Sequence, residues 1–459
     1  MSRVAKTKRF PKHGPELRAL LAACHRDPDD DTPRLVLADW LQEHDDPRGE
    51  LMRLQCRLAA MPAGDPEYDT LFELHQQWWK KYGEVWEKET AWQYSHSILW
   101  DIGPHNRGLP TIGSNRCNLA MLEVDDLRTR PVQEISSVIA EGWPEIVWVE
   151  IRLDRYKESN DPCSIFDKSP WVGSPTPIGI CFDDGREVSA AILERVAAIP
   201  NLRGLSFCQQ HASARLLPRI RKMTQLEQLD LGYIDMNDDR LKSLASLSQL
   251  RLLRMWPERI TDKGMKTLAN FPELRELVIE GGSSLRWPSA NLSASGFKLI
   301  NSLTKLESLA IPGITDRQLR YLSGLTRLRK LEIEGAIVSG QTVAELFPLL
   351  HHLDLSTTNI NDVDLGYIGR GLPRLRYLSL WETAVTDAGT THLSGLRWLE
   401  DLTITDTQIG NEALPHLEAL PNLQELRLDY TNVTQAGIKR LERKRKGLRV
   451  FGGSGLNPD

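Results

Sequence analysis

The residues that could support catalysis or metal binding are scattered and lack the spacing that such chemistry needs. Several acids lie at positions 27–31. A calcium loop needs acids at alternating positions, then a Gly and a more distant Glu, and this order is absent here. His351 and His352 are adjacent in a predicted strand, so their side chains face opposite sides and form a poor chelating pair. The glycine-rich phosphate-binding, HExxH and GxSxG motifs are absent from the sequence. We therefore predict no catalytic residue, no metal and no cofactor.

The composition is that of a soluble globular protein. The chain has 459 residues, of which 41% are hydrophobic and 26% charged, and a net charge of −5. A mildly acidic chain argues against general nucleic-acid binding. No signal peptide and no membrane-spanning run of about 18 apolar residues is visible. Six widely spaced cysteines without a CxxC pair favour reduced thiols, so we expect a cytoplasmic protein.

The pattern LxxLxL recurs through the second half of the chain. Its ten complete copies begin at Leu202, Leu226, Leu250, Leu274, Leu306, Leu328, Leu350, Leu375, Leu399 and Leu423. A partial eleventh copy begins at Leu448. Alternating leucines such as Leu378 and Leu380 predict a short strand with one buried face, and the step Thr386-Asp387 predicts the start of a helical segment. One copy cannot bury its leucines alone, so stacked copies must share an elongated core.

These copies resemble the leucine-rich-repeat superfamily over residues 198–453. The resemblance implies an α/β solenoid of horseshoe shape, with parallel strands on the concave face and helices on the convex face. Threonine replaces the family's usual Asn at the ninth position of the last four complete copies, at Thr358, Thr383, Thr407 and Thr431. With the ITDxG step, this looks like the F-box-associated and bacterial subclass. A threonine hydroxyl can still join a hydrogen-bond ladder beneath the strands.

The sequence before the repeats predicts a basic tail and a small helical domain. Residues 1–14 carry five Lys or Arg and no acid, which is typical of a disordered tail. Proline positions and apolar spacing predict helices at 15–25, 33–43, 50–60 and 69–89. We expect Asp30 or Asp31 to cap the second helix, and Asp39 to pair with Arg48 or Arg53.

The stretch DPDDDTPRLVLADWLQEHDDPRGELMRLQ resembles the short repeat-companion domain found at the N-terminus of many planctomycete proteins. We therefore assign residues 15–91 to such a domain. The resemblance implies the domain architecture and the lineage of the protein, but it implies no catalytic activity.

The remaining segments are assigned by their alternation of strand-like and helix-like runs. We assign residues 92–200 to degenerate repeats that cap the solenoid. Residues 201–453 hold the ten complete copies and the partial one, and residues 454–459 are assigned to a tail. Strands are expected at 119–124, 146–153 and 178–182, helices at 132–141 and 188–199, and a surface loop at 157–177. The repeat that begins at Leu274 carries an insertion at 281–296, which we expect to form a surface loop, functional or neutral.

The concave face is the predicted functional surface. At the outward positions of the repeats, acids outnumber bases nine to three, and three large aromatic residues stand where water is expected. The candidate protein-binding residues are Trp256, Glu280, Glu332, Glu334, Asp354, Tyr377, Trp381, Asp401 and Asp429. Exposed aromatic residues are enriched at binding hot spots, and an acidic groove suits a basic segment of a partner protein. The same surface would repel a nucleic-acid backbone.

The sequence therefore predicts a non-catalytic protein-interaction scaffold, and two alternatives stay open. The first is a substrate-receptor-like subunit of a ubiquitin-ligase-like complex, by analogy of fold with F-box proteins. The second is an enzyme with an unrecognised site in residues 92–200, where Cys181-Phe182-Asp183 is similar to the CxD motif of some bacterial repeat-containing ubiquitin ligases. Those enzymes carry the motif in a separate helical domain after the repeats, which disfavours catalysis at this position.

Overall fold

The computed structural model describes residues 15–26, 31–61, 65–89, 122–123, 147–151, 178–182, 188–207, 213–280 and 292–452. The chain divides into two units, Met1–Tyr233 and Ile234–Asp459. Several predicted segments lie outside the described residues: the tail at 1–14, the acids at 27–30, the helix at 132–141, the loop at 157–177, the insertion at 281–291 and the tail at 454–459.

Four helices form the beginning of the first unit: α1 (Pro15–Arg26), α2 (Thr32–Glu43), α3 (Arg48–Ala60) and α4 (Tyr68–Glu89). Each starts within two residues of its predicted start. Leu37 and Leu41 of α2 pack in one buried cluster with Leu17 of α1 and Met52 of α3. The apolar spacing of these helices thus produces a small all-α core, as predicted.

Charged side chains fix the turns of this helical region. Asp39 and Arg53 form the predicted ion pair between α2 and α3. Arg48 contacts Asp46 instead of Asp39, and its backbone N–H also donates to Asp46 Oδ1 at 3.0 Å. Asp31 stands at the N-cap position of α2, where its side chain makes no capping bond and is contacted by Arg34 at 3.2 Å. The expected cap is therefore replaced by an ion pair.

Parallel strands follow in the first unit, in the order of the sequence. They are β1 (Leu122–Glu123), β2 (Val147–Ile151), β3 (Ile178–Phe182), β4 (Leu202–Ser206) and β5 (Gln228–Asn237). The last of these runs across the division between the units. Helix α5 (Ala190–Ala197), capped by Ser189, connects β3 to β4, and a 3₁₀ turn (Ala214–Leu216) with α6 (Leu217–Ile220) leads into β5. The first three strands lie where the sequence predicted them.

The second unit is built from nine further described strands, and each of them after β6 pairs parallel with the one before it. They are β6 (Leu252–Arg259), β7 (Glu276–Ile279), β8 (Ser308–Ala310), β9 (Lys330–Glu332), β10 (His352–Asp354), β11 (Tyr377–Ser379), β12 (Asp401–Thr403), β13 (Glu425–Arg427) and β14 (Arg449–Phe451).

The strands stack through one ladder of leucines. The central leucines of β6 to β13 pair in register from strand to strand and have no exposed surface: Leu253, Leu277, Leu309, Leu331, Leu353, Leu378, Leu402 and Leu426. Each buried leucine stabilises the fold by roughly 1.5–3 kcal/mol relative to exposure. This shared interior confirms the prediction from the LxxLxL pattern, and the unit has the α/β architecture of leucine-rich repeats.

Short helices connect successive strands of the second unit. They are α7 (Asp238–Ser243), α8 (Asp262–Met265), α9 (Ala294–Asn301), α10 (Asp316–Leu319), α11 (Gly340–Leu346), α12 (Asp362–Gly371), α13 (Asp387–Thr390), α14 (Leu414–Glu418) and α15 (Gln435–Lys444). The 3₁₀ turns are Lys266–Asn270, Arg320–Leu322, Thr391–Gly395 and Asn411–Ala413. Thr261, Thr315 and Thr386 cap their helices through the side-chain oxygen, as the repeated Thr-Asp step predicted.

The end of the predicted insertion loop is helical. Ser293 caps α9 by accepting a hydrogen bond from the backbone N–H of Ser295, so 294–296 form the first turn of a helix. The small residues of the sequence ASG are typical of turns and predict a loop, but the cap at Ser293 and the burial of Phe297 and Ile300 favour a helix.

An aspartate links each of several helices to the next one. Asp362 accepts hydrogen bonds from the backbone N–H of Thr386 at 2.8 Å and from the Thr386 hydroxyl at 2.7 Å. Asp238 does the same for Thr261, and it also accepts from the backbone N–H of Gly264 at 3.0 Å. The Thr-Asp step therefore has two roles. Its Thr donates hydrogen bonds to the aspartate of the preceding repeat, and its Asp accepts hydrogen bonds from the following repeat.

The turn after each of the last strands explains the threonines at the ninth repeat position. Counting from the first leucine of LxxLxL, the eighth residue has a left-handed backbone in six consecutive repeats: Gly313, Gly335, Thr357, Glu382, Asp406 and Tyr430. The next residue, when it is Thr, donates its hydroxyl to the carbonyl three residues earlier, as Thr358 does to Leu355 at 2.6 Å and Thr383 to Leu380 at 2.7 Å. The hydroxyls thus close the turn of their own repeat, so the expected ladder between repeats does not form through them.

None of the helices in the described parts of the chain combines the length and the apolar character that a membrane crossing requires.

Candidate protein-binding face

The candidate site is the surface of the second unit that lies opposite the leucine ladder. We call it the strand face and define it by the third, fifth and seventh residues of the repeats on β6 to β14. Because side chains alternate across a strand, these residues point away from the buried leucines. Register pairing aligns the third positions of the complete copies in one row: Leu252, Glu276, Ser308, Lys330, His352, Tyr377, Asp401 and Glu425. Arg449 on β14 pairs with Glu425 and ends this row, so the partial copy begins one residue before the predicted Leu448.

The nine predicted binding residues all lie on this face, with different exposure. Glu334 is exposed, and Trp381 exposes 41% of its surface. The others are half-buried: Trp256, Glu280, Glu332, Asp354, Tyr377, Asp401 and Asp429. Side chains on β7 and β8 such as Glu276, Val278 and Ser308 are buried. The face is therefore open to solvent mainly from β9 onward and at the residues that follow the strands.

Glu332 is the most connected carboxylate of the face. Its Oε1 lies 3.0 Å from Lys330 Nζ and 3.2 Å from His352 Nε2. Burial works against ionisation of this carboxyl, but the His352 hydrogen bond and the Lys330 charge overcome it and lower its pKa to about 2. Burial lowers the pKa of His352, so the neutral ring donates its Nε2–H to a permanently ionised Glu332.

An aromatic pair adjoins this cluster. The rings of His352 and Tyr377, which are neighbours in register, stack with centroids 4.0 Å apart and planes 3° apart. Burial, followed by the nearby charges of Asp354 and Asp401, raises the pKa of the Tyr377 hydroxyl. The phenol therefore stays protonated and can donate a hydrogen bond.

The carboxylates beside this pair repel one another. Although Glu334 is exposed, partial desolvation of its carboxyl raises its pKa, and the charges of Asp354, Glu280, Glu332 and Glu382 raise it further. Burial also raises the pKa of Asp354, although the backbone N–H of Ser356 donates to its carboxylate at 2.9 Å. Since four separate acids act on Glu334, this part of the face has a negative potential that its own bases do not neutralise.

Glu276 on β7 is a buried carboxyl group without a partner. Only 2% of the residue is exposed, and neither side-chain oxygen has a hydrogen-bond partner. Burial raises its pKa to about 7, although the charges of Lys330 and Arg254 lower it. Arg254 Nε lies 3.4 Å from Glu280 but makes no hydrogen bond.

Glu276 is one of the outward positions of the repeats, but it is not among the nine binding residues predicted from the sequence. Its aligned neighbours, Leu252 on β6 and Ser308 on β8, carry no charge, so neither can form an ion pair with a carboxylate. An acid that lies between two uncharged neighbours is the sequence signal that could have identified this carboxyl group.

Acids at the other end of the face are better matched by bases. Glu425 lies 2.5 Å from Arg427 and 2.8 Å from Arg449. Arg427 also stacks over the Phe451 ring, at 5.1 Å from its centroid. Burial and the Glu425 charge raise the pKa of Asp401 to about 6.

The described thiols are poorly suited to nucleophilic chemistry. Cys24, Cys56 and Cys181 are buried and form no disulfide bond. Burial raises the pKa of Cys24 to about 11. Cys181 has no exposed surface and lies within β3, while Asp183 of the CxD sequence is outside the described residues. A buried thiol on a strand is inert, since only an accessible thiolate reacts.

Within the described ranges, no three His, Cys, Asp or Glu side chains converge to hold a metal ion.

No family model matches the sequence. Among solved structures, the chain is similar to an internalin from Listeria monocytogenes, with 20% identity over 61% of this chain and 86% of that one and a TM-score of 0.37. It is similar to internalin C2 of the same organism, with 20% identity over 52% of this chain and 91% of that one and a TM-score of 0.33. It is also similar to the Rad7 and Elc1 complex of yeast, with 18% identity over 71% of this chain and 83% of that one and a TM-score of 0.48.

Proposed function

We propose that this chain is a non-catalytic interaction protein that binds a basic segment of a partner protein through the strand face. The observation that carries the proposal is the crowding of acids on one face, where Asp354, Glu280, Glu332 and Glu382 lie near enough to Glu334 to add to the effect of its partial desolvation and disfavour its ionisation. A bound cation relieves such repulsion, so positive charge is the complement that this surface lacks.

The charge balance along the strand face supports the same partner. From β6 to β11, the carboxylates at or beside the described face are Glu276, Glu280, Glu332, Glu334, Asp354 and Glu382. The bases in this range are Arg254 and Lys330, each within 3.4 Å of one of these acids. Because the acids exceed the bases, a negatively charged partner such as nucleic acid is disfavoured.

The aromatic residues give the face a second means of binding. Trp381 is exposed over 41% of its surface, and its chain neighbour is Glu382. Aromatic rings contribute contact area at little entropic cost and stack on cationic side chains, which makes Trp381 the expected anchor beside the acids.

The test is selection of random short peptides, displayed on phage, by the full chain. We expect the selected peptides to be enriched in Arg and Lys over the starting library. The double variant Glu334→Lys with Asp354→Lys should lose that enrichment, and the off-face variant Glu412→Lys, an exposed acid of the 3₁₀ turn Asn411–Ala413, should keep it. Selected peptides without excess basic residues, or equal selection by all three proteins, would refute the proposal.

We also propose the finer assignments that the sequence suggested. The repeats belong to the F-box-associated and bacterial-like subclass, and residues 15–91 form a repeat-companion domain of the planctomycete type. Residues 92–200 are degenerate capping repeats before the copies at 201–453. We propose a cytoplasmic location, which is supported by the buried thiols of Cys24, Cys56 and Cys181, since these form no disulfide bond.

A further inference from the structure

The last helix of the second unit carries bases that make no ion pair within the described part of the chain. Ile438 and Leu441 are buried on the inner side of α15, which packs on α14 of the preceding repeat. Four exposed bases lie on the outer side of α15 or just after it: Lys439, Arg440, Arg443 and Lys446. We call these four residues the basic end.

Two neighbouring bases hold α15 in its place. Lys444 Nζ lies 2.8 Å from a carboxylate oxygen of Glu418 at the end of α14. Arg445 donates from its guanidinium to the backbone carbonyl of Glu418 at 2.7 Å and to that of Leu423 at 3.1 Å. These contacts join the helix to the preceding repeat without any side chain of the basic end.

The helix dipole accounts for only part of the basic end. A base in the last turn of a helix is stabilised by the partial negative charge of the helix C-terminus, and Arg443 lies in that turn. Lys439 and Arg440 lie one turn earlier, and Lys446 follows the end of the helix. These bases therefore form a local patch of positive potential on a chain whose net charge is −5.

Exposed acids without an ion-pairing base follow the strands of the same unit. Glu334 follows β9, Glu382 follows β11 and Asp406 follows β12. All three are exposed, and none forms an ion pair with a described residue. They lie beyond the buried side chains of β7 and β8, on the part of the strand face that is open to solvent. The chain thus carries two exposed surfaces of opposite charge.

One copy of the chain cannot bring these two surfaces together. The side chains of the strand face point away from the shared interior. The basic end points away from the same interior, because Ile438 and Leu441 occupy the buried side of α15. The interior therefore separates the two surfaces, and they can meet only between two copies.

The spacing of the charges on the two surfaces matches. Lys439 and Arg443 lie four residues apart on α15, which separates them by about 6 Å along the helix axis. Glu382 and Asp406 follow two strands that pair with each other, and paired strands lie about 4.8 Å apart. A helix whose axis crosses the strands therefore presents one base to each acid.

We propose that the partner of the strand face is a second copy of this chain, whose basic end docks on Glu334, Glu382 and Asp406. This inference rests on the proposed function, because it names the protein that supplies the basic segment. Trp381, exposed beside Glu382, offers a ring on which a guanidinium of the basic end stacks. The contact joins two different surfaces, so each copy can hold one neighbour at its strand face and another at its basic end.

The experiment is sedimentation velocity of the full chain over a range of protein concentrations, at low and at physiological salt. We expect the average mass of wild type to rise with concentration, and to rise less at the higher salt because exposed charges are screened. The face variant, Glu334→Lys with Glu382→Lys, should associate at least about tenfold more weakly than wild type. The basic-end variant, Lys439→Glu with Lys446→Glu, should be weakened similarly, because like charges then meet.

A mixture of the two variants tests whether the face of one copy meets the basic end of another. The face variant keeps its basic end and the basic-end variant keeps its acids, so one wild-type contact is available between them. In the second contact both charges are reversed, so it is attractive as well. We expect the mixture to associate although neither variant associates alone, a result that misfolded variants would not give. Circular dichroism establishes that each variant is folded.

The matched control is Lys298→Glu with Arg317→Glu. It reverses two exposed helix bases elsewhere in the second unit and changes the net charge of the chain as much as the basic-end variant does. It should associate as wild type does. Equal weakening by this control would show an effect of total charge and would overturn the inference.

The inference is also overturned if either charge-reversed variant associates as tightly as wild type, or if their mixture does not associate. It fails alone if wild type keeps the mass of one copy at every concentration but still selects basic peptides from the displayed library. If wild type keeps that mass and selects no basic peptides, the inference and the proposed function fail together.

Discussion

Single atoms decide how neighbouring repeats meet, and the clearest case is the glycine that follows the Thr-Asp step. Gly389 faces Asp362, and Gly264 faces Asp238 in the same way. A side-chain carbon at either glycine would lie too close to the carboxylate oxygen that accepts hydrogen bonds from the next repeat. The absence of a side chain is therefore needed for the hydrogen bonds between repeats.

Replacing Gly389 tests this contact. We expect Gly389→Ala to lower the free energy of unfolding by about 1–3 kcal/mol, because the new methyl group must displace the Asp362 carboxylate from Thr386. The matched control is Gly366→Ala in α12, where the nearest atom to an added carbon would be a His392 ring carbon at 3.4 Å. Urea unfolding should show little loss, or a gain from better helix propensity, for the control. Equal losses in both variants would contradict this account.

Glu276 gives the stability of the fold a dependence on pH. Its pKa rises from 4.5 to about 7 on folding, so between these values the folded chain holds a proton that the unfolded chain has released. The folded state therefore binds more protons, and its stability decreases as the pH rises through this window.

We expect Glu276→Gln to remove that part of the decrease. The stability of the variant relative to wild type should improve by about 1–3 kcal/mol between pH 5 and pH 8. Urea unfolding of both proteins at several pH values measures the difference. A constant difference between the two proteins across the window would show that Glu276 ionises normally.

At the scale of the element, the turn after each strand combines a left-handed residue with a hydrogen-bonding threonine. Gly313 and Gly335 adopt the left-handed backbone at little cost, but Thr357 adopts it with a branched side chain. The Thr357 hydroxyl is also buried and has no hydrogen-bond partner. The next residue, Thr358, donates its hydroxyl to the Leu355 carbonyl.

Two adjacent threonines should therefore respond in opposite directions. Thr357→Gly is expected to raise the free energy of unfolding by about 1 kcal/mol, because it removes backbone strain and an unsatisfied hydroxyl. Thr358→Ala is expected to lower it by about 1 kcal/mol through the lost hydrogen bond. Thermal unfolding of the two single variants checks the signs, and a loss for Thr357→Gly would contradict the strain argument.

The sequence predicted the helices and strands better than the burial and hydrogen bonding of their side chains. Leucine spacing gave the strands and the shared interior, and caps such as Thr386 gave the helix starts, because both signals are local. The burial of Glu276 could not be predicted, since it depends on the neighbouring strands and not on its own repeat. The direction of the Thr358 hydroxyl depends on the turn geometry, which a repeat pattern does not specify. The helical start at Ser293 was missed because Ser and Gly also suit loops.

At the scale of the molecule, the strand face acts through the sum of its charges. The predicted binding residues were chosen from repeat positions alone, and the structure places all nine on the strand face. The mutual influence of Glu334, Asp354 and Glu382 across separate repeats emerges only from the assembled stack.

Binding of a basic peptide should accordingly depend on salt. We expect the affinity of the full chain for a short synthetic peptide of alternating arginine and serine to fall several-fold between low and physiological salt, since exposed charges are screened beyond about 8 Å. The Trp381→Ala variant should bind more weakly at every salt concentration while keeping the same salt slope, because the lost contact is not ionic. Titrations over a salt series measure both quantities, and a salt-independent affinity would argue against electrostatic recognition.

The aspartate contact between repeats has a consequence for how such a chain can grow. A repeat that carries Thr, Asp and Gly offers a donor to the preceding copy and an acceptor to the following one. A duplicated copy inserted by recombination would meet the same contact at both of its boundaries. The array can thus change its number of copies without inventing a new joint, and the length of its recognition surface can vary during evolution while the joining chemistry stays constant.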